Sequence, residues 1–210
     1  MNARGINPIA DIVVNHRSGT TGWTDFTNPT WGCETIAIDD EASNPANVYV
    51  GCRPSGALDT GEGFNGSRDL DHTNLTVQNG VKEYLTKLKT LGFKGWRWDV
   101  AKGFGASYFG NYIGGSQPYY SVGENWDGNA NNLKNWIDAT YSGGANVSGA
   151  FDFSLYYNLS AAVKTNSYGS FSSSAVRGLA GQFGYSEKAV TFIDNHDTFA
   201  HDADYFSGNN

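Results

Sequence analysis

Short apolar runs and amphipathic segments alternate along the chain. Apolar runs of strand length lie at residues 6–14, 95–100, 119–123, 149–153 and 189–193. Apolar residues recur at spacings of three and four, as on one face of a helix, at residues 76–91, 105–113, 133–141, 154–164 and 175–179. Because strands and helices alternate, the pattern predicts an α/β fold of parallel strands joined by right-handed crossovers.

Residues 17–71 interrupt this alternation. The segment has no sustained helical period, and Gly, Pro, Asn, Thr and Asp recur throughout it. A structureless loop of that length is unusual within a compact domain, so we expect a small irregular excursion domain, which metal ions or disulfides would help to hold together. Cys33 and Cys52 both lie in this segment, and a disulfide between them would require an oxidising, extracytoplasmic setting.

Composition and charge exclude several classes of partner. The 210 residues are 39% hydrophobic, which allows a sizeable core, and 14 Lys and Arg against 21 Asp and Glu leave a net charge of -7. That charge argues against a nucleic acid or an anionic membrane as partner. No apolar run approaches the roughly 20 residues of a membrane span, and the N-terminus has no basic-then-apolar signal pattern. We expect a monomer that binds neither nucleic acid nor membrane.

The strand predicted at residues 95–100 carries charge on one face. Trp96 and Trp98 alternate with Arg97 and Asp99, so the two charged side chains project to the same side of the pleat. Burial of such charges is costly unless they pair. A structural ion pair would account for these two residues taken alone.

Further polar residues follow other predicted strands. They are Asn15 with His16, Glu124, and His196 with Asp197. Taken singly, each has an ordinary structural explanation, as a capped turn, a helix-start carboxylate or a turn before a helix. In a barrel of parallel strands, however, the carboxyl ends of the strands share one mouth, where active sites are built. Their joint placement therefore predicts an active site.

These residue types fit glycoside cleavage with retention of configuration. One ionised carboxylate acts as the nucleophile, and a second, about 5 to 5.5 Å away, acts first as acid and then as base. We expect Arg97 to keep Asp99 ionised, and a more enclosed Glu124 to keep its proton. Asp197 would bind sugar hydroxyls and favour the distorted ring.

Four segments resemble the ordered signature regions of the α-amylase family, and a fifth resembles its additional motif. They are Asp11-Ile-Val-Val-Asn15-His16, Gly95-Trp-Arg97-Trp-Asp99-Val-Ala-Lys102-Gly103, Val122-Gly-Glu124-Asn-Trp-Asp127, Phe192-Ile-Asp-Asn-His196-Asp197 and Asp69-Leu-Asp71-His72. Asp59-Thr-Gly-Glu62, and Gly103 where many members have histidine, look most like the plant-type α-amylases and their bacterial relatives. Asn125 departs from the apolar residue that many members have after the glutamate.

The resemblance implies catalytic roles for the matching residues. Asp99 would be the nucleophile, Glu124 the acid/base and Asp197 the transition-state stabiliser. Arg97 would orient Asp99, and Asp11 would support Arg97.

The resemblance also implies substrate and metal ligands. His16 and His196 would bind the sugar in the cleavage subsite, and Lys102 would contact the sugar on the leaving-group side. Hard oxygen ligands suit calcium. A structural Ca²⁺ would be held between barrel and excursion domain by Asn15, Asp59, Asp69 and the backbone carbonyls of Glu62 and Gly103.

The chain differs most from the family in how much of the family's barrel it contains. Counted against the eight strands of the family's barrel, the predicted strands are about the third to the seventh. An eight-stranded barrel typically takes about 250 residues. We therefore expect residues 1–210 to form a partial catalytic (β/α)₈ TIM barrel, with the calcium-binding excursion domain at residues 17–71 after its third strand. Because an open parallel sheet exposes apolar edges, we expect the isolated chain to fold poorly.

The implied function is endo-acting, retaining hydrolysis of α-1,4-glucosidic bonds in starch, glycogen and related glucans by a secreted parent enzyme. A relative that forms maltooligosaccharides or transfers glucosyl units is an alternative. A second is a non-catalytic glucan-binding accessory protein or an inactive fragment, against which the complete set of carboxylates speaks. A calcium-stabilised extracellular scaffold would leave those carboxylates unexplained.

Overall fold

The chain forms two compact units. The computed structural model describes residues 1–40, 49, 51–141, 148–172 and 177–198. The first unit comprises Met1–Glu124 and Ala139–Ser148, and the second comprises Asn125–Asp138 and Gly149–Asn210. Across the described ranges, no helix combines the length and the apolar character that crossing a membrane requires.

The first unit is built on three parallel strands. Its strands are β1 (Ile9–Ile12), β2 (His16–Arg17), β3 (Arg68–Asp69), β4 (Gly95–Trp98) and β5 (Tyr120–Gly123), and its helices are α1 (Leu75–Thr90) and α2 (Ala106–Ser116). β4 lies between β1 and β5 and is parallel to both. β2 and β3 form a separate antiparallel pair in which His16 is opposite Asp69. Short 3₁₀ turns lie at Asn2–Arg4 and Cys33–Thr35.

β4 is fixed by two buried tryptophans. The side chains of Trp96 and Trp98 are fully buried, and their indole N–H groups donate to Ser116 Oγ and Ser121 Oγ, both at 2.9 Å. A buried indole N–H that lacks an acceptor costs free energy, and here both donors are satisfied. Because side chains alternate along a strand, Arg97 projects to the opposite face of β4.

Helix α1 confirms the helix predicted at residues 76–91, shifted by one residue. Asn74 caps its start by accepting a hydrogen bond from Thr76 N at 2.8 Å. The apolar stripe of Val77, Val81 and Leu85 is buried, as a period of 3.6 requires. The chain leaves the helix at Gly92, whose φ of 102° is readily adopted only by glycine.

The segment between β2 and β3 has little regular structure, and covalent and ionic contacts cross-link it. Cys33 and Cys52 form a disulfide, with Cα atoms 5.9 Å apart. Arg68 pairs with Asp40 at 2.7 Å, and both side chains are almost completely buried. The Asp40 carboxylate also accepts a hydrogen bond from Asp69 N at 3.0 Å. These contacts hold β3 against the segment that precedes it.

The second unit repeats the alternation of strand and helix. It contains α3 (Ala130–Ala139, all but its last residue), β6 (Gly149–Phe151), α4 (Phe153–Thr165) and β7 (Ala189–Val190), with short 3₁₀ turns at Tyr168–Ser172 and Ser186–Lys188. β6 and β7 are parallel, with Ala150 opposite Ala189. Parallel strands alternate with helices in both units, which confirms the predicted α/β class.

Asp152 ends one predicted strand early. The strand predicted at residues 149–153 stops at Phe151, because the Asp152 carboxylate caps α4 by accepting from Leu155 N at 2.9 Å. The same carboxylate accepts from Leu179 N at 2.9 Å and Ala180 N at 2.8 Å. Residues 177–179 are bends and turns, so the described part of the helix predicted at residues 175–179 is not helical, while residues 175 and 176 lie outside the described residues.

The remaining strands are shorter than predicted. The run at residues 6–14 pairs only over Ile9–Ile12, that at residues 95–100 only over Gly95–Trp98, and that at residues 189–193 only over Ala189–Val190. Apolar character continues past the last paired residue in each case, so the runs overestimate the strands. All three runs lose positions at the carboxyl end, where the candidate site residues lie, and the first also loses residues 6–8 at its amino end.

Candidate active site

Arg97 joins carboxylates from three neighbouring strands. Its Nη1 donates to Asp11 Oδ1 at 2.9 Å and also to Asp99 Oδ1, and its Nη2 contacts Glu124 Oε1 at 2.5 Å. Asp11 belongs to β1, Asp99 directly follows β4, and Glu124 directly follows β5. The parallel register places Asp11 beside Arg97 and Arg97 beside Val122. The predicted pairing of Arg97 with Asp99 is therefore present, within a larger cluster.

The four side chains of the cluster differ in how exposed they are. The side chain of Glu124 is 4% exposed, that of Arg97 13%, that of Asp99 23% and that of Asp11 59%. Burial alone lowers the pKa of Arg97, but the charge of Glu124 and the hydrogen bonds to Asp99 and Asp11 outweigh it and raise the pKa above its usual value. Arg97 is a permanent cation at this site.

The turn after β4 links the two inner carboxylates. Val100 has a left-handed φ of 46°, which is costly for a β-branched residue. Its N–H points to Glu124 Oε2 at 3.5 Å, and Ala101 N donates to the Glu124 carbonyl at 3.1 Å. Glu124 N in turn donates to Trp98 O at 2.8 Å. The strained turn thus holds Glu124 beside Asp99. Sequence reasoning missed Val100, since a valine gives no sign of left-handed backbone.

His16 lies in β2, in the same unit as the cluster, and its side chain is partly buried. Its ring stacks on Phe64, with centroids 4.0 Å apart, and its Nδ1 lies 3.4 Å from Asn15 Nδ2. Burial lowers the pKa of His16, and the charge of Asp99 opposes that shift. His16 is therefore a mainly neutral ring within the electrostatic reach of Asp99.

Lys102 pairs with the segment between β2 and β3. Its Nζ lies 2.7 Å from Glu62 Oε1, and its carbonyl accepts from Glu62 N at 2.8 Å. The Glu62 side chain is 67% exposed, so this pair is screened by water. Sequence reasoning assigned only the carbonyl of Glu62 and did not predict this contact.

His196 and Asp197 lie in the second unit. They follow β7 and form a turn in which Asp197 N donates to Asn195 Oδ1 at 3.0 Å. His196 Nε2 is 3.2 Å from Asp197 Oδ2, and both side chains are well exposed. Thr198 closes the turn by donating its N–H to Asn195 Oδ1 at 2.7 Å.

Three of the predicted calcium ligands, Asn15, Asp69 and Gly103, lie close to one another. Asn15 Nδ2 donates to Asp69 Oδ1 at 3.0 Å, which turns Asn15 Oδ1 towards Gly103. A β-carbon at Gly103 would lie 2.0 Å from that oxygen, and one at Gly61 would lie 2.4 Å from the carbonyl carbon of Gly103. The Asp59 carboxylate accepts from Thr60 N at 2.7 Å through Oδ1.

The oxygen atoms of these residues are of the kind that a hard cation takes. Asn15 Oδ1 is buried and has no hydrogen-bond partner, an arrangement that costs free energy unless a ligand satisfies it. Where the structure describes the chain, no group of three or more His, Cys, Asp or Glu side chains could hold a metal ion. The predicted set relies instead on an amide oxygen, two carboxylates and backbone carbonyls, which are ligands typical of calcium.

Fold and site together define a class: an α/β protein with a partial TIM barrel and its charged residues at the carboxyl ends of parallel strands. No protein-family model matches the chain. The chain is 34% identical over 208 residues to probable alpha-amylase 2 of Arabidopsis thaliana, covering 92% of this chain and 48% of that protein. It is 30% identical over 217 residues to the chloroplastic alpha-amylase 3 of the same plant, covering 92% of this chain and 23% of that protein.

The fold is that of solved α-amylases. An alpha-amylase structure from Malbranchea cinnamomea superposes with a TM-score of 0.57 at 21% identity, over 93% of this chain and 40% of that one. The chain is therefore a partial domain of the α-amylase family. It spans about half the length, or less, of the relatives that it matches.

Proposed function

We propose that the chain carries catalytic residues of a retaining glycoside hydrolase that cleaves α-1,4-glucosidic bonds of starch-like glucans from within. The observation that carries this proposal is the contact of one guanidinium with Asp99 and Glu124. Retaining cleavage needs two carboxyl groups close together, and Arg97 brings these two to one point. Similarity to two plant proteins named alpha-amylases supports the choice of substrate.

In the proposed first step, Asp99 attacks the anomeric carbon of the glucosyl unit and the bond to the leaving oxygen breaks. Glu124 gives its proton to that oxygen at the same time. Because Glu124 Oε1 faces Arg97, the proton would be carried on Oε2. Arg97 would hold Asp99 in the orientation that in-line attack requires.

In the second step, Glu124 takes a proton from water, and the water oxygen displaces Asp99 from the anomeric carbon. Two inversions restore the original configuration. The burial of Glu124 removes competing water from the acid, and the greater exposure of Asp99 leaves it accessible to the sugar.

The remaining roles follow from the motifs of the family. We assign sugar contacts to His16, His196 and Lys102, and stabilisation of the transition state to Asp197. A structural calcium ion would be held by Asn15, Asp59, Asp69 and the carbonyls of Glu62 and Gly103. A bound Ca²⁺ would stabilise the folded excursion segment against the strands. The disulfide between Cys33 and Cys52 supports a secreted or otherwise oxidising location.

The test measures the release of reducing ends from soluble starch, and here and in the experiments below the protein is a complete barrel that carries this segment. Asp99→Asn and Glu124→Gln remove charge and acid function with little change in shape, so each should lower turnover by at least about a thousandfold while glucan binding survives. Asp138→Asn is the matched control, since Asp138 is an exposed carboxylate that accepts a hydrogen bond from the Tyr185 hydroxyl at 2.6 Å and has no proposed role in the reaction.

The outcomes separate the alternatives. Turnover of Asp99→Asn close to that of the wild type would mean that the nucleophile is elsewhere. Glucan binding by the wild type without any release of reducing ends would indicate an accessory protein instead. Chromatography of the products shows whether hydrolysis or transfer of glucosyl units dominates.

A further inference from the structure

Phe64 lies against one face of the His16 ring. The two ring centroids are 4.0 Å apart, and the planes are inclined by 12°. Both residues are partly buried. A ring stacked at this separation excludes water from the covered face and restricts rotation of the imidazole. His16 belongs to β2, while Phe64 comes from the irregular segment that precedes β3.

The backbone that carries Phe64 is anchored on both sides. Phe64 N donates to Asp69 Oδ2 at 3.2 Å, and Glu62 N, two residues earlier, donates to Lys102 O at 2.8 Å. Two residues later, Gly66 approaches the phenyl ring so closely that a β-carbon there would lie 2.6 Å from Phe64 Cε1. The position of the phenyl ring is therefore set by its surroundings and does not depend on His16.

The edge of the His16 imidazole is held less firmly than the face that stacks on Phe64. Nδ1 lies 3.4 Å from Asn15 Nδ2, which is long for a hydrogen bond. The strand pairing of His16 with Asp69 fixes the backbone, but it leaves the side-chain torsions free. Stacking on Phe64 is the contact that fixes the plane of the ring.

We propose that Phe64 is a positioning residue for sugar binding, because it holds the His16 imidazole in the plane from which it meets the sugar. This inference rests on the proposed function, in which His16 binds the sugar at the cleavage subsite. Phe64 acts through His16. The segment between β2 and β3 thus shapes the sugar site through a ring contact, in addition to its proposed metal ligands.

The first readout needs no substrate. In the wild type, the phenyl ring should shift the His16 ring-proton resonances upfield in an NMR spectrum. Phe64→Leu should abolish that shift, and Phe64→Tyr should keep it because the ring face is retained. Phe183→Leu is the matched control, since it makes the same chemical change at a fully exposed phenylalanine. Should Phe64→Leu fail to fold, Phe64→Met fills the same space without a ring.

The second readout is a double-mutant cycle on affinity for maltoheptaose, measured by calorimetry. All proteins carry Asp99→Asn, so that the sugar is not turned over. Phe64→Leu should weaken binding roughly threefold to tenfold, the range that an aromatic pair contributes, and Phe64→Tyr should restore it. In a His16→Ala background, Phe64→Leu should cause no further loss, because residues that act through one another are not additive.

Several results would contradict the positioning role of Phe64. The proposal is wrong if the upfield shift is missing from the wild type or survives in Phe64→Leu. It is also wrong if Phe64→Leu costs as much affinity with His16→Ala as without it, since Phe64 would then contact the sugar directly. If His16→Ala leaves the affinity for maltoheptaose unchanged, His16 does not bind the sugar and Phe64 has no positioning role. Loss of turnover in Glu124→Gln would in that case still support the proposed hydrolase.

Discussion

Arg97 contacts Glu124 through Nη2 at 2.5 Å, on the opposite branch of the guanidinium from Asp99. A planar fork can serve two carboxylates at once, which the single ammonium group of lysine cannot do with the same geometry. The two carboxylates are held together by a cation that is itself largely buried. The arrangement of the two carboxylates and the stability of the first unit therefore both depend on the Arg97 side chain.

Replacing Arg97 by Met should destabilise the protein by about 3 to 5 kcal/mol, because it removes the buried cation that Asp99 and Glu124 share. Arg97→Lys should cost less stability, yet it should lower turnover strongly because one carboxylate loses its partner. Denaturant unfolding and starch hydrolysis measure the two effects. Arg4→Met, at an exposed position, is the control. Equal stability of Arg97→Met and the wild type would contradict the structure.

His72 makes the stability depend on pH. It is fully buried, its Nε2 lies 2.9 Å from Val14 O, and its Nδ1 lies 2.7 Å from Tyr112 Oη. Burial lowers its pKa from 6.5 to about 3, against the opposing effects of Val14 and Asp71. Between these two values the unfolded chain binds a proton that the folded chain does not, so the free energy of unfolding should fall as the pH falls.

The slope assigned to His72 can be isolated by substitution. Over that pH range, the wild type should lose up to roughly 1.4 kcal/mol per pH unit more than His72→Gln, which cannot take up the proton. Denaturant unfolding at a series of pH values measures both proteins. Parallel pH profiles for the two would show that His72 is protonated in the folded state.

Calcium should stabilise the protein through Asn15 and its neighbours. A metal bound only by the folded state stabilises it by mass action, by about 2.7 kcal/mol at a concentration one hundred times the Kd. The melting temperature should rise with added Ca²⁺ and fall with EDTA. Asp59→Asn should reduce that response, while Asp138→Asn should keep it. Identical melting curves in Ca²⁺ and in EDTA would count against the site.

Reduction of the disulfide should loosen the segment between β2 and β3. Cys33 and Cys52 are separated by 19 positions, and a loop of about this length is worth about 3 kcal/mol in the chain-entropy account. Dithiothreitol should therefore lower the melting temperature of the wild type. The double variant Cys33→Ser, Cys52→Ser should melt at the lower temperature and show no response to the reductant, which separates loss of the bond from other effects of the reagent.

Periodicity predicted the elements better than their ends. The stripe of Val77, Val81 and Leu85 located α1 to within one residue, because burial of one helix face dictates that spacing. Strand ends were overestimated, since an apolar run does not show where ladder pairing stops. Asp152 ahead of an apolar helical segment was a readable capping signal, and it would have ended the strand at Phe151.

The cluster around Arg97 could be predicted only in part. A strand pattern places Arg97 and Asp99 on one face, so their pairing follows from the sequence. The contact with Glu124 depends on the register between β4 and β5 and on the left-handed turn at Val100. Neither feature can be deduced from the local composition of the sequence. The stacking of Phe64 on His16 is likewise a long-range contact without a local signal.

Trp96 and Trp98 give the first unit an intrinsic optical probe. Both indoles are fully shielded from water in the folded chain, and they lie in the strand that leads directly to Asp99. Their entry into water on unfolding would move fluorescence emission to longer wavelength. Because the chain has four other tryptophans, the difference between the spectra of the wild type and Trp98→Phe monitors, without any label, whether the strand that leads to the proposed nucleophile is in place.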